Sequence, residues 1–224
     1  MLPFFGLSER MEISDTDVLI IAGDAGYVWD ENYPYRVETL NQVFPGTIAF
    51  IDGNHENHSI LTGLETVAWH GGNAHIVGER FFHLMRGELY SIYGKTFFTF
   101  GGARSTDKDR RKEGESWWRD EEPNDDEIMH GREILTNNID GIDYVITHET
   151  PLFARDFISR FKEIEDGYHL PVVLDEWYRM ISNGAAFKKW YFGHMHEDKL
   201  ITPQLRAIHN DILYVGSEEP VKWA

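Results

Sequence analysis

The sequence predicts an α/β fold. Short apolar runs rich in β-branched and aromatic residues alternate with stretches patterned like helices, and each run ends in a cluster of Gly, Asn, Asp or His. The 224 residues are 42% hydrophobic, enough to bury one substantial core, so a single domain over 1–224 is expected.

Taken in order, Asp17 to Gly23 (DVLIIAG) is almost continuously apolar, the pattern of a strand buried on both faces. Thr47 to Ile51 repeats it. Between them Pro34 suits a first helical position, Val37, Leu40 and Phe44 share a face, and Pro45-Gly46 stops the helix. From about Ala74 to Gly102 the reading changes to short antiparallel strands, with Tyr93-Gly94-Lys95 as a hairpin turn. A helix is expected from about Pro123 to Asn137, its first turn carrying Asp125, Asp126 and Glu127 against the positive end of the helix dipole. Asp143 to Thr147 reads as a strand, Leu174 to Ile181 as a helix ended by Asn183-Gly184, Trp190 to Phe192 as a strand and Ile212 to Val215 as a last one.

Composition narrows the chemistry. With no cysteine, disulfides, thiolate metal sites and thiol nucleophiles are excluded, and any metal must be held by oxygen and imidazole nitrogen. A formal net charge of −17 repels a nucleic-acid backbone over most of the surface, so nucleic-acid binding is not expected. No apolar run is long enough to span a bilayer and the first residues do not make a secretory signal; the reading is a cytoplasmic protein without a membrane partner.

The chemistry-bearing residues follow the apolar runs. Asp24 follows LIIAG, Gly53-Asn54-His55-Glu56 follows IAFID, His148 follows YVIT, and Gly193-His194-Met195-His196 follows WYF. In α/β sheets ligand sites gather beyond the carboxyl ends of the strands, so these four clusters can converge. A carboxylate, an amide oxygen and several imidazoles suit a divalent transition ion. Gly23, Gly53 and Gly193 fit sharp exits from the strands at positive φ.

In this order, GD at 23–24, GNHE at 53–56, the His of VITHETP at 145–151 and GHMH at 193–196 resemble four of the five motifs of the calcineurin-like metallophosphoesterases. The resemblance implies a four-layer α-β-β-α sandwich of two mixed sheets, and a two-ion centre of divalent transition metals, Mn foremost with Fe, Zn or Ni as alternatives. It implies that Asp24 bridges both ions, that Asn54, His148 and His194 complete one, and that His196 binds the other. His55 would be no ligand but the catalytic proton donor to the leaving group of a small phosphorylated substrate. Glu56 either orients that imidazole or is a surface carboxylate.

The family's first motif, Asp-x-His after a first strand, has no copy. Ser14-Asp15-Thr16-Asp17 has Asp where His belongs and no apolar strand before it, so it reads as a loop. The chain is thus expected to lack the usual first strand, with Met1 to Arg10 a partial replacement, and to hold one ion well. The leading reading is a phosphomonoesterase or phosphodiesterase; the rival is an inactive module that keeps the fold for binding or assembly. Downstream, Arg104 and Arg111 lie in a basic stretch after Phe100-Gly101-Gly102 that resembles the substrate-side insert of small bacterial members, and either clamps a phosphate or is a solvated loop. Trp117 and Trp118 are expected to anchor that stretch to the core. Of the remaining histidines, His58 and His75 are the ones expected near the site. Substrate identity and oligomeric state are not legible.

Overall fold

The apolar runs become eleven short strands among the described residues, arranged in two mixed sheets flanked by helices. The computed structural model describes residues 13–158 and 167–221. The proposed role of Met1 to Arg10 lies outside them.

The first sheet contains β1 (Val18–Ile21), β2 (Thr47–Phe50), β3 (Thr66–Trp69), β4 (Gly72–Gly78) and β5 (Phe81–Leu84), in the order β1-β2-β5-β4-β3. The second contains β6 (Glu88–Ile92), β7 (Lys95–Phe100), β8 (Tyr144–Thr147), β9 (Lys189–Phe192), β10 (Lys199–Thr202) and β11 (Leu205–Ala207), in the order β10-β11-β9-β8-β7-β6. β1 and β2 pair in parallel, as do β7, β8 and β9 in succession. Parallel pairing carries the chain's polar strand ends to the same side of each sheet.

Three apolar clusters define the layers. Helix α1 (Tyr33–Val43) and the short α2 (His58–Leu61) pack Val37, Leu40 and Leu61 against Ile48, Phe50 and Phe81 of the first sheet. Ala49, Leu84, Tyr90, Phe97, Ile146 and Tyr191 come from both sheets and form the seam between them. Helices α3 (Asp125–Asn138) and α4 (Leu170–Ile181) bury Leu135, Leu174 and Trp177 on the outer face of the second sheet against Phe98, Phe100 and Trp190. The order is helix, sheet, sheet, helix.

Local signals account for most boundaries. Pro34 sits in the first turn of α1, and α3 opens on a capping box in which Asn124 and Glu127 exchange side-chain bonds to each other's backbone N–H. Tyr93 and Gly94, at φ 50° and 70°, make the hairpin turn between β6 and β7. Trp118 is buried, edge-on to Trp29, which is the expected anchor. Ser14 to Asp17 is the expected loop, closed by Ser14 donating from its backbone N–H and Oγ to the Asp17 carboxylate.

Four expectations need correction. The segment 74–102 is split between the sheets, β4–β5 in one and β6–β7 in the other, and β5 and β7 also pair in parallel with β2 and β8. Helix α4 starts at Leu170, because Pro171 suits a first turn that precedes the expected start. β1 does pack apolar residues on both faces, Leu19 and Ile21 to one cluster and Val18 and Ile20 to another, but among the described residues it is an edge strand, and Val18, Leu19 and Ile20 are only partly buried. Finally, Ile212 to Val215 is not a strand. Ile212 is buried, yet its carbonyl accepts from Val221 and the following Gly216 donates to the Tyr191 hydroxyl, so no ladder forms. The chain's last strands are instead β10 and β11, whose polar Lys199, Thr202 and Arg206 obscure the pattern.

Candidate metal centre

Beyond the carboxyl ends of β1, β2, β8 and β9, one side-chain oxygen or nitrogen from each of Asp24, His148 and His194 lies within 4.8 Å of the others. Asp24 Oδ1 is 3.2 Å from His148 Nε2, and Asn54 Oδ1 is 3.3 Å from the same nitrogen. Donors held about 2.0–2.2 Å from one ion stand roughly 3 Å apart, so the spacing fits a shared cation.

The tautomer argues the same way. His148 Nδ1 donates to the Ala22 carbonyl at 2.8 Å, which leaves Nε2 facing two acceptor oxygens. A lone pair aimed at two oxygens is repulsive unless a proton or a metal ion stands between them. Burial opposes a charge on His148, but the Asp24 carboxylate outweighs it and pushes the imidazole up to about 9. Burial would raise Asp24, and His148 instead holds it well below the usual carboxylate range. Burial first, with the neighbouring His148 adding to it, drives His194 down to about 4 against the pull of Glu149 and Asp24, keeping it neutral, as a ligand must be.

Asn54 is oriented by a relay. The Ser105 hydroxyl donates to Glu121 Oε2 at 2.7 Å, so its lone pairs accept from Asn54 Nδ2 at 3.1 Å, and the amide oxygen is turned to His148. Ser105 and Glu121 are both fully buried, and the Ser105 backbone N–H also donates to Glu121 Oε1. His194 has a comparable neighbour: Glu149 Oε2 lies 4.0 Å from its Nε2 and accepts from Arg155 and the Tyr168 hydroxyl.

The backbone is shaped to admit these groups. Asp24, His194 and His196 take φ of 52°, 60° and 54°, a conformation costing non-glycine residues about 1–3 kcal/mol each and concentrated at functional sites. Gly23 is at φ 88°, as expected. Gly53 and Gly193 are not at positive φ; they are needed for room, since a Cβ on Gly53 would stand 2.1 Å from Asp24 Oδ1 and one on Gly193 2.3 Å from the Ala22 carbonyl.

Glu56 neither orients His55 nor lies at the surface. It is fully buried and accepts from the backbone N–H of Gly53 and Gly26, tying two loops of the site together, and burial with the nearby Asp24 pushes it up to about 8. His55 is half-buried at the rim, its backbone N–H donating to Asp24 Oδ1 at 2.9 Å. Its Nδ1 accepts from Arg111 Nη1 at 3.2 Å, and Asp107 steadies Arg111 through Nε at 2.8 Å. Arg104 is directed elsewhere: two bonds of 2.7 Å join it to Glu122 and its guanidinium lies over the Tyr168 ring.

His58 and His75 lie beneath the site and not in it. His58 Nε2 donates to the Gly53 carbonyl, while His75 contacts His83, which reaches Asp52 beside the Gly53 turn. His196 stands apart from the cluster of Asp24, His148 and His194 but lines the same cavity of about 700 Å³. His209, which carries no motif, lines it too. Among the described residues no helix is long and apolar enough to cross a membrane.

Residues 5–198 match the calcineurin-like phosphoesterase family. No curated protein and no solved structure matches.

Proposed function

The chain belongs to the calcineurin-like phosphoesterase family of metal-dependent hydrolases, and from that premise we propose that it hydrolyses a phosphomonoester or phosphodiester bond in a small phosphorylated molecule. The observation that carries this reading is His148 Nε2 facing the oxygens of Asp24 and Asn54, beside His194. Asp24, Asn54, His148 and His194 would hold the principal ion, a divalent transition metal with Mn the first candidate. Bound there, such an ion polarises phosphoryl oxygens and lowers the pKa of water into the neutral range.

The remaining work falls to this chain's own side chains. Arginine has no acceptor, so the contact between Arg111 and His55 makes Nδ1 the acceptor and leaves the ring proton on Nε2. To give a proton to the leaving alkoxide without becoming an imidazolate the ring must be doubly protonated, so Nδ1 takes up a proton in place of the Arg111 contact as Arg111 turns to the substrate phosphate, and Nε2 then donates, a contribution typically worth ~10²–10⁴ in rate. Arg111 also offers its guanidinium to a phosphoryl oxygen, placing one positive charge at the rim of a chain with net charge −17. Arg104 serves instead to brace the loop through Glu122. The acidic surface disfavours nucleic acid as substrate, and a cytoplasmic setting accords with the cysteine-free sequence.

The missing Asp-x-His motif favours a second reading, a binding or assembly module without turnover. The placement of Arg111 on His55 supports the hydrolase. Assay with p-nitrophenyl phosphate and bis-p-nitrophenyl phosphate in added Mn separates the two: turnover abolished by chelator and by Asp24→Asn supports the hydrolase. A chain that binds Mn and turns over neither ester supports the module.

A further inference from the structure

Within the reading above, the ion position assigned to His196 has two assigned donors among the described residues, Asp24 and His196. Two donors hold a divalent ion weakly, because both charge and chelation are short. The structure brings a third candidate into the cavity that Asp24 and His196 line. The His209 ring stacks on His196, with centroids 4.9 Å apart and planes at 24°, and both line the cavity shared with Asp24, His148 and His194.

This placement is built by the backbone. The Asp198 carboxylate accepts from the backbone N–H groups of His209 at 2.7 Å, Asn210 at 3.0 Å and Asp211 at 3.0 Å. Asp198 is two residues beyond His196, so one carboxylate ties the His209 turn to the loop that carries His196. That loop already holds His196 at a φ of 54°. The turn follows directly on β11, which is itself paired with β9, the strand that delivers His194.

We propose that His209 is a metal ligand, completing with Asp24 and His196 a second divalent-cation position beside that of Asp24, Asn54, His148 and His194. Two imidazoles and one carboxylate on one side of an ion form a set suited to Fe, Mn, Zn or Ni, with positions left for water or a phosphoryl oxygen. The two ring nitrogens on a single ion, each about 2.0–2.1 Å from it, stand roughly 3 Å apart. The ligand atoms of Asp24, His196 and His209 do not all stand within 4.8 Å of one another, so when the ion enters the two exposed, stacked rings must tilt together at their nitrogen edges and close on Asp24. A site that assembles in this way is weaker than its preformed neighbour.

The inference rests on the metal-centre reading, and calorimetric titration of the metal-free full chain with Mn distinguishes the two. Wild type is expected to take up two ions, the second at least tenfold more weakly. His209→Ala and His209→Gln should keep the first ion within about twofold and weaken the second at least tenfold, and should remove the spin-coupled electron paramagnetic resonance signal of paired Mn. A second ion bound with wild-type affinity in both variants overturns the proposal, as does a wild-type chain that saturates at one ion. If Asp24→Asn and His194→Ala both retain the first ion unchanged, the metal-centre reading itself falls and this proposal with it. Because His209 is exposed, the urea midpoint should not move, and equal midpoints exclude misfolding as the cause of a lost ion.

Discussion

Removal of the Ser105 hydroxyl should weaken the principal ion although Ser105 touches no ion. Its Oγ donates to Glu121 and so accepts from Asn54 Nδ2, and this bond decides which end of the amide faces His148. In Ser105→Ala the amide NH₂ loses its partner in a buried setting. The amide can then turn in the metal-free state, whereas ion binding still demands its oxygen. One net hydrogen bond is worth about 1 kcal/mol and an orphaned buried donor about 1–3 kcal/mol, which corresponds to roughly 5-fold to 150-fold in affinity. That range overlaps the typical effect of groups that orient metal ligands. Titration with Mn by calorimetry reads the change, with urea denaturation of the metal-free protein as the control for folding. An affinity within twofold of wild type in a well-folded variant would refute the relay.

Three further outcomes follow from the same geometry. His55→Gln should lower kcat by ~10²–10⁴ while leaving the ion in place, since the imidazole contacts Arg111 and is not a ligand; loss of the metal would contradict that role. Gly53→Ala places a Cβ 2.1 Å from Asp24 Oδ1 and 2.7 Å from His148 Nε2, so Mn affinity should fall by ~10²-fold or more; wild-type affinity by calorimetry would contradict the packing argument. His58 is pushed down to about 4, by burial first, with the Arg86 charge adding to it. A folded-state value below the unfolded ~6.5 means that the unfolded chain binds more protons, so stability is complete above that value and is lost as pH falls towards 4. Between pH 7 and pH 5 the loss is about 2 kcal/mol. His58→Gln should flatten that slope in urea denaturation, and an unchanged slope would show that His58 does not carry it.

The parts of the fold legible in the sequence are those where one signal dominates. LIIAG, IAFID, YVIT and WYF are apolar runs cut off by glycine or a polar group, and each does end at the site. The rest is hidden for physical reasons. Glu56 was weighed as a surface or orienting carboxylate because Glu is seldom buried without partners, and its partners are backbone N–H groups of Gly53 and Gly26 that no sequence pattern reveals. Ser105 and Glu121 meet Asn54 only through tertiary packing across more than fifty residues of chain. His209 follows no apolar run of its own and reaches the site because β11 pairs with β9. Arg104 and Arg111 read alike as basic loop residues, and only their neighbours, Glu122 for one and His55 for the other, divide them.

Anomalous diffraction from crystals soaked in Mn tests the central claim most directly. A strong peak bounded by Asp24, Asn54, His148 and His194 is the predicted result, with any weaker second peak on the Asp24 and His196 side. No peak among those four side chains at saturating Mn, or a sole peak elsewhere on the protein, would contradict the account.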